Sequence, residues 1–88
     1  SALPTAADAL LVIEVSDSTL AYDVRVKSRL YARHGVPVCW VFDLQAPMLR
    51  VFAEPRDGDY ARVEEIVSPG LMPIPGLDGV AVDLSGVL

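Results

Sequence analysis

Leu10-Leu11-Val12-Ile13-Glu14-Val15 is an almost unbroken apolar run, and it constrains the fold more than any other segment. Its length and β-branched content suit a strand covered on both faces, as in the middle of an α/β sheet. Ser16-Asp17-Ser18-Thr19 follows, a cluster of side chains that accept hydrogen bonds from the free N–H groups of a helix's first turn. The spacing of Leu20, Val24, Leu30 and Tyr31 predicts a helix over roughly 20–34, although its apolar stripe is ragged. Gly35 stands where a helix ends in a left-handed residue, and Pro37 prevents continuation.

Val38–Asp43 reads as a second strand, Leu44–Pro47 as a turn and Met48–Phe52 as the other arm of a hairpin. Asp57-Gly58 signals another turn, and Tyr60–Val67 alternates as an exposed or edge strand would. Ser68–Gly79 holds three prolines and three glycines and predicts an irregular surface segment. Val80–Leu84 closes the chain as a short strand or helix entry. The order predicts an α/β (α+β) layer, with one helix packed on a mixed or mostly antiparallel sheet. One helix covers one face, so the other face of the 10–15 strand calls for cover from upstream sequence or another subunit.

Composition sharpens that expectation. The chain's 88 residues make a single small domain, yet 52% are hydrophobic and 22% charged, which is apolar for so short a chain. A homo-oligomer, in the simplest case a dimer, is expected to cover Trp40, Phe42 and Phe52 of the hairpin strands. No apolar run approaches the roughly 18 residues that cross a bilayer, so no membrane partner is expected. Cys39 is the only cysteine, which excludes an internal disulfide and a thiolate zinc cluster and suits a cytoplasmic protein. A net charge of −5 excludes strong nucleic-acid binding through the whole surface.

Two residues stand out chemically. Glu14 interrupts the apolar strand, and a buried carboxylate costs several kcal/mol unless it is paired, hydrogen-bonded or metal-bound. Alternation puts it on the face of Val12 and Ser16, near the strand's C-terminal end, where ligands gather in open α/β sheets. Lys27, the only lysine, falls on the following helix, one turn beyond Asp23. Arg25, Lys27, Arg29 and Arg33 are four of the seven cations and could form a phosphate-facing patch or a solvated helix face. A plain structural reading makes Glu14 and Lys27 a buried salt bridge. His34 suits a helix C-terminus and needs no further role.

Taken together, Leu11 to Thr19, Tyr22-Asp23, Lys27, Leu30-Tyr31, Gly35-Val36-Pro37 and Trp40-Val41-Phe42-Asp43 resemble the Uma-two family. Val51-Phe52, Gly58-Asp59-Tyr60 and the stretch from Pro75-Gly76-Leu77 to Asp83-Leu84 fit its later pattern. These are widespread bacterial proteins. The resemblance implies a restriction-endonuclease-like core and a metal-dependent phosphodiesterase site of the PD-(D/E)XK kind, with DNA as partner. Glu14 matches the strand carboxylate that holds Mg²⁺ (or Mn²⁺), with the Val15 carbonyl as a further ligand. Lys27 matches the cation that orients the attacking water; Ser16 occupies the place of the lysine in the parent motif. The family's first metal aspartate has no match: Asp8, six residues before Glu14, would lie about 20 Å away along an extended strand. Residues 1–88 are therefore expected to be the C-terminal portion of a longer domain, the N-terminal part of the fold missing and the site incomplete. The alternative is a non-catalytic dimerisation or nucleic-acid-binding module on the same scaffold.

Overall fold

The computed structural model describes residues 11–16 and 21–88, and for residues 21–24 the backbone alone. Leu10, the proposed N-cap cluster from Asp17 to Thr19, and Asp8 lie outside the described residues, as do the side chains of Asp23 and Val24. Strand β1 (Leu11–Ser16) leads to helix α1 (Ala21–Arg33), then to β2 (Val38–Asp43), β3 (Met48–Arg56) and β4 (Asp59–Ile66). Two short strands, β5 (Leu71–Pro73) and β6 (Ala81–Asp83), complete the chain.

The main sheet has the order β1-β2-β3-β4. β1 and β2 run parallel, which requires a long crossover, and α1 supplies it. β2-β3 and β3-β4 are antiparallel hairpins, and β5 pairs with β6 in a separate ribbon. This is the mixed α/β architecture expected from the sequence, consistent with a restriction-endonuclease-like fold. Ser68–Gly79 is more regular than its prolines and glycines suggest: β5 lies inside it and Ile74 N–H donates to the Val80 carbonyl.

Gly35 ends α1 as the sequence implies. With φ of 75° it donates its N–H to the Ala32 carbonyl, while Val36 N–H reaches back to Tyr31. That pair of bonds satisfies carbonyls the helix leaves free, and Val36 is fully buried beneath the turn. Asp57-Gly58 forms the two-residue turn between β3 and β4, with both φ angles positive (54° and 79°). This is the turn whose twist matches paired strands. A Cβ on Gly58 would meet Arg33 Cγ at an ordinary 3.6 Å, so only backbone conformation opposes substitution. Gly58→Ala is therefore expected to lower stability by about 1–2 kcal/mol, read as an earlier urea midpoint with an unchanged slope.

The sheet buries a different set of side chains on each face. Toward α1, Cys39, Val41 and Tyr60 pack with Ala32, and Val12, Tyr31 and Phe52 lie against them. On the opposite face Trp40, Phe42, Leu49 and Val51 pack with Leu84, and Met72, Ile74, Val82 and Leu88 close over them. The chain's own C-terminal segment thus covers that face, and two expectations change. Trp40 and Phe42, 2% and 7% exposed, are enclosed within the chain and cannot be the residues a second subunit covers. Phe52 lies on the other face, its ring 6.0 Å from that of Tyr60. The C-terminal cover stops short of β1, where Ile13 and Val15 are 54% and 63% exposed. So among the described residues β1 is packed along its α1 face, and on the other face at Leu11 alone, not along both.

Candidate active site

Strand alternation turns Val12, Glu14 and Ser16 toward α1, and Ile13 and Val15 away from it. Glu14 is half-buried near the C-terminal end of β1. Its Oε1 accepts a hydrogen bond from the Tyr31 hydroxyl. Its Oε2 lies 3.7 Å from Lys27 Nζ. Lys27 and Tyr31 are four residues apart on α1, so they stack on one flank of the helix. The structure therefore joins the two residues singled out from the sequence. The ion pair is not buried, however: the Lys27 side chain is 46% exposed and that of Glu14 27%. A pair so open to water contributes about 0–1 kcal/mol, which disposes of the buried-salt-bridge reading. Val15, the other candidate ligand, follows in the same strand with its side chain on the opposite face.

The sequence places Tyr31 only in the apolar stripe of the helix; its spacing of four residues from Lys27 is the signal that it shares that residue's flank. Behind the pair lies Cys39. Burial, then the nearby charge of Glu14, pushes its thiol up to about 12. It stays protonated and inert. Burial likewise raises Tyr60 to about 12, with lesser contributions from Cys39 and Tyr31. The Tyr60 hydroxyl donates to the Val36 carbonyl at 2.8 Å and ties β4 to the end of α1.

The proposed cationic patch does not form as one surface. Arg29 stands about 200° around the helix from Lys27, and its Nε lies 3.6 Å from Asp59. Arg33 points to the same side, against Gly58. These arginines tie α1 to the β3–β4 turn, leaving Lys27 on the Glu14 flank.

A second polar group occupies the α1-facing side of the hairpin. Glu14, Val41, Arg50 and Glu65 stand in one cross-strand row, placing the Arg50 backbone about 10 Å from that of Glu14. Arg50 Nη1 donates to Asp43 Oδ2 at 2.5 Å, and its Nε lies 3.5 Å from Glu65. Asp43 Oδ1 also accepts from the N–H groups of Gln45 and Ala46. The Arg50 hydrogen bond, then those from Ala46 and Gln45, hold the Asp43 carboxyl below its ordinary value despite partial desolvation. A depressed folded value stabilises the protein above the usual carboxylate range, and that contribution is lost as pH falls through the depressed value. Asp43→Asn should therefore lower the melting temperature at neutral pH and flatten its decline below about pH 4, measured by circular dichroism.

No group of three or more His, Cys, Asp or Glu among the described residues could hold a metal ion. No buried side-chain nitrogen or oxygen there is left without a partner. Glu14 has the right chemistry for a hard cation, but it is one carboxylate. Mg²⁺ usually takes one or two, plus waters and substrate phosphate. At Glu14 the described residues supply one carboxylate, with the Val15 carbonyl as the other candidate ligand, and do not complete a metal centre. No helix among them is long and apolar enough to cross a membrane.

Residues 1–85 match the model of the Uma2 (Uma-two) family, described as putative restriction endonuclease. No curated protein and no solved structure matches the chain.

Proposed function

Because the chain belongs to the Uma2 family, we propose that Glu14 and Lys27 form part of a metal-dependent endonuclease site that hydrolyses DNA phosphodiester bonds. The observation that carries this reading is the half-buried Glu14 carboxylate at the end of β1, held within 3.7 Å of the chain's only lysine. In this reading Glu14 holds Mg²⁺ or Mn²⁺, with the Val15 carbonyl beside it and a further carboxylate from outside the described residues. The bound ion supplies Lewis-acid stabilisation of the phosphoryl charge. Lys27 is solvent-accessible and its ammonium can hold a water or a phosphate oxygen next to the Glu14 carboxylate. Its flexible stem allows that position to be reached from the helix rather than from β1, where Ser16 replaces the motif's lysine.

That no metal-holding group of three or more His, Cys, Asp or Glu forms among the described residues favours a second reading, a non-catalytic dimerisation or nucleic-acid-binding module. Plasmid and oligonucleotide cleavage with Mg²⁺ or Mn²⁺, against a chelator control, separates the two. Any cleavage is expected to require the metal and to be lost in Glu14→Gln. A chain that binds DNA without cleaving it supports the module. Robust cleavage by the 88-residue chain, indifferent to Glu14→Gln, overturns the site.

A further inference from the structure

Glu14 needs a fixed orientation to serve any ligand, and its own strand does not provide one. The terminal torsion of a glutamate is broad, and the side chain is partly open to water. Lys27 is a poor anchor: its ammonium is a point charge on a flexible stem, 3.7 Å from Oε2. Tyr31 is different. Its ring packs against the cluster of Ala32, Cys39, Val41 and Tyr60. Its carbonyl accepts the Val36 N–H that locks the end of α1. The Tyr31 hydroxyl is thus a donor held from both sides, and it donates to Oε1. An occupied Oε1 selects one rotation of the carboxylate and turns Oε2 to the Lys27 side.

We propose that Tyr31 is a positioning residue: its hydroxyl fixes the Glu14 carboxylate so that Oε2 is presented to Lys27 and to a divalent cation. The second half of this proposal rests on the reading that Glu14 takes such a cation. The logic is that of outer partners at metal sites, which orient a ligand without touching the metal.

Two measurements on the 88-residue chain test it. The first is made without metal: the side-chain ¹³C resonance of the Glu14 carboxylate is followed in the wild type and in Tyr31→Phe, which keeps the ring and removes the hydroxyl. It is expected to move, and an unmoved resonance overturns the proposal whatever Glu14 binds. The second is a Mn²⁺ titration by calorimetry of the wild type, Glu14→Gln, Tyr31→Phe and Phe52→Leu. Glu14→Gln is expected to abolish binding, and Tyr31→Phe to weaken it about tenfold with little change in melting temperature. Phe52→Leu disturbs the same packing but spares the hydroxyl, so it should lower the melting temperature and leave Mn²⁺ affinity as in the wild type. If Glu14→Gln abolishes binding while Tyr31→Phe binds as the wild type does, Tyr31 has no positioning role and the metal reading stands. If Glu14→Gln binds Mn²⁺ unchanged, or the wild type binds none, the metal reading fails; the cation half of the proposal falls with it, and the carboxylate resonance decides the other half.

Discussion

Glu14→Gln is expected to reduce metal-dependent DNA cleavage to background in any form of the protein that cleaves. Glutamine keeps the length of the side chain and still offers an oxygen to the Tyr31 hydroxyl, but it removes the charge a hard cation requires. Outer partners of metal sites cost about 10–100-fold in activity when lost, and a ligand should cost more. Lys27→Ala should slow the same reaction by about 10²–10⁴-fold, the range of a positioned proton-handling group. Neither change should unfold the molecule, since the pair is too exposed to contribute more than about 1 kcal/mol. Rates of plasmid nicking, read beside melting curves, check both statements. Cleavage by Glu14→Gln at the wild-type rate would move the chemistry to another part of the chain.

Trp40→Ala is expected to have the largest effect on stability. The indole is 2% exposed, packed in the face that Leu84, Met72 and Val82 cover. Truncating a buried aromatic to Ala costs about 3–5 kcal/mol. A domain of this size has little more than that in total. The melting temperature should fall by roughly 12–40 °C, or the cooperative transition should vanish, when followed by calorimetry. The same experiment tests how this face is covered. If Trp40 were enclosed by another subunit instead of the C-terminal segment, the loss would depend on protein concentration. A concentration-independent loss matches the cover described by β5, β6 and Leu84.

Local chemistry made much of this fold legible. The apolar run, the Gly35 and Pro37 stop, and the Asp57-Gly58 turn each act through neighbouring backbone; among the described residues the strand runs from Leu11 to Ser16, and the helix end and the turn lie where they were expected. Glu14 was visible because a carboxylate in an apolar strand demands an explanation, and Lys27 because it is the only lysine. What escaped depended on how distant segments meet. Nothing local indicates that the segment after Ser68, rich in proline and glycine, folds back over Trp40 and Phe42. Helix spacing alone already sets Lys27 apart from Arg29 and Arg33; what it does not show is that these arginines meet the β3–β4 turn. The role of Tyr31 was hidden because an aromatic with one half in a core gives no sign of what its hydroxyl meets.

The link between Tyr31 and Glu14 spans 17 residues, and that separation bears on how the molecule folds and changes. The chain entropy lost in closing such a segment grows only slowly with the segment's own length. Glu14, Lys27 and Tyr31 therefore travel together as a cassette formed by β1 and α1. The helix that carries Lys27 and Tyr31 packs chiefly on β4 and β3, so their meeting with Glu14 depends on that hairpin as well as on β1. Insertions between β5 and β6 lengthen another part of the chain and leave the cassette's spacing untouched, whereas the Asp57-Gly58 turn is tied to α1 through Arg29 and Arg33.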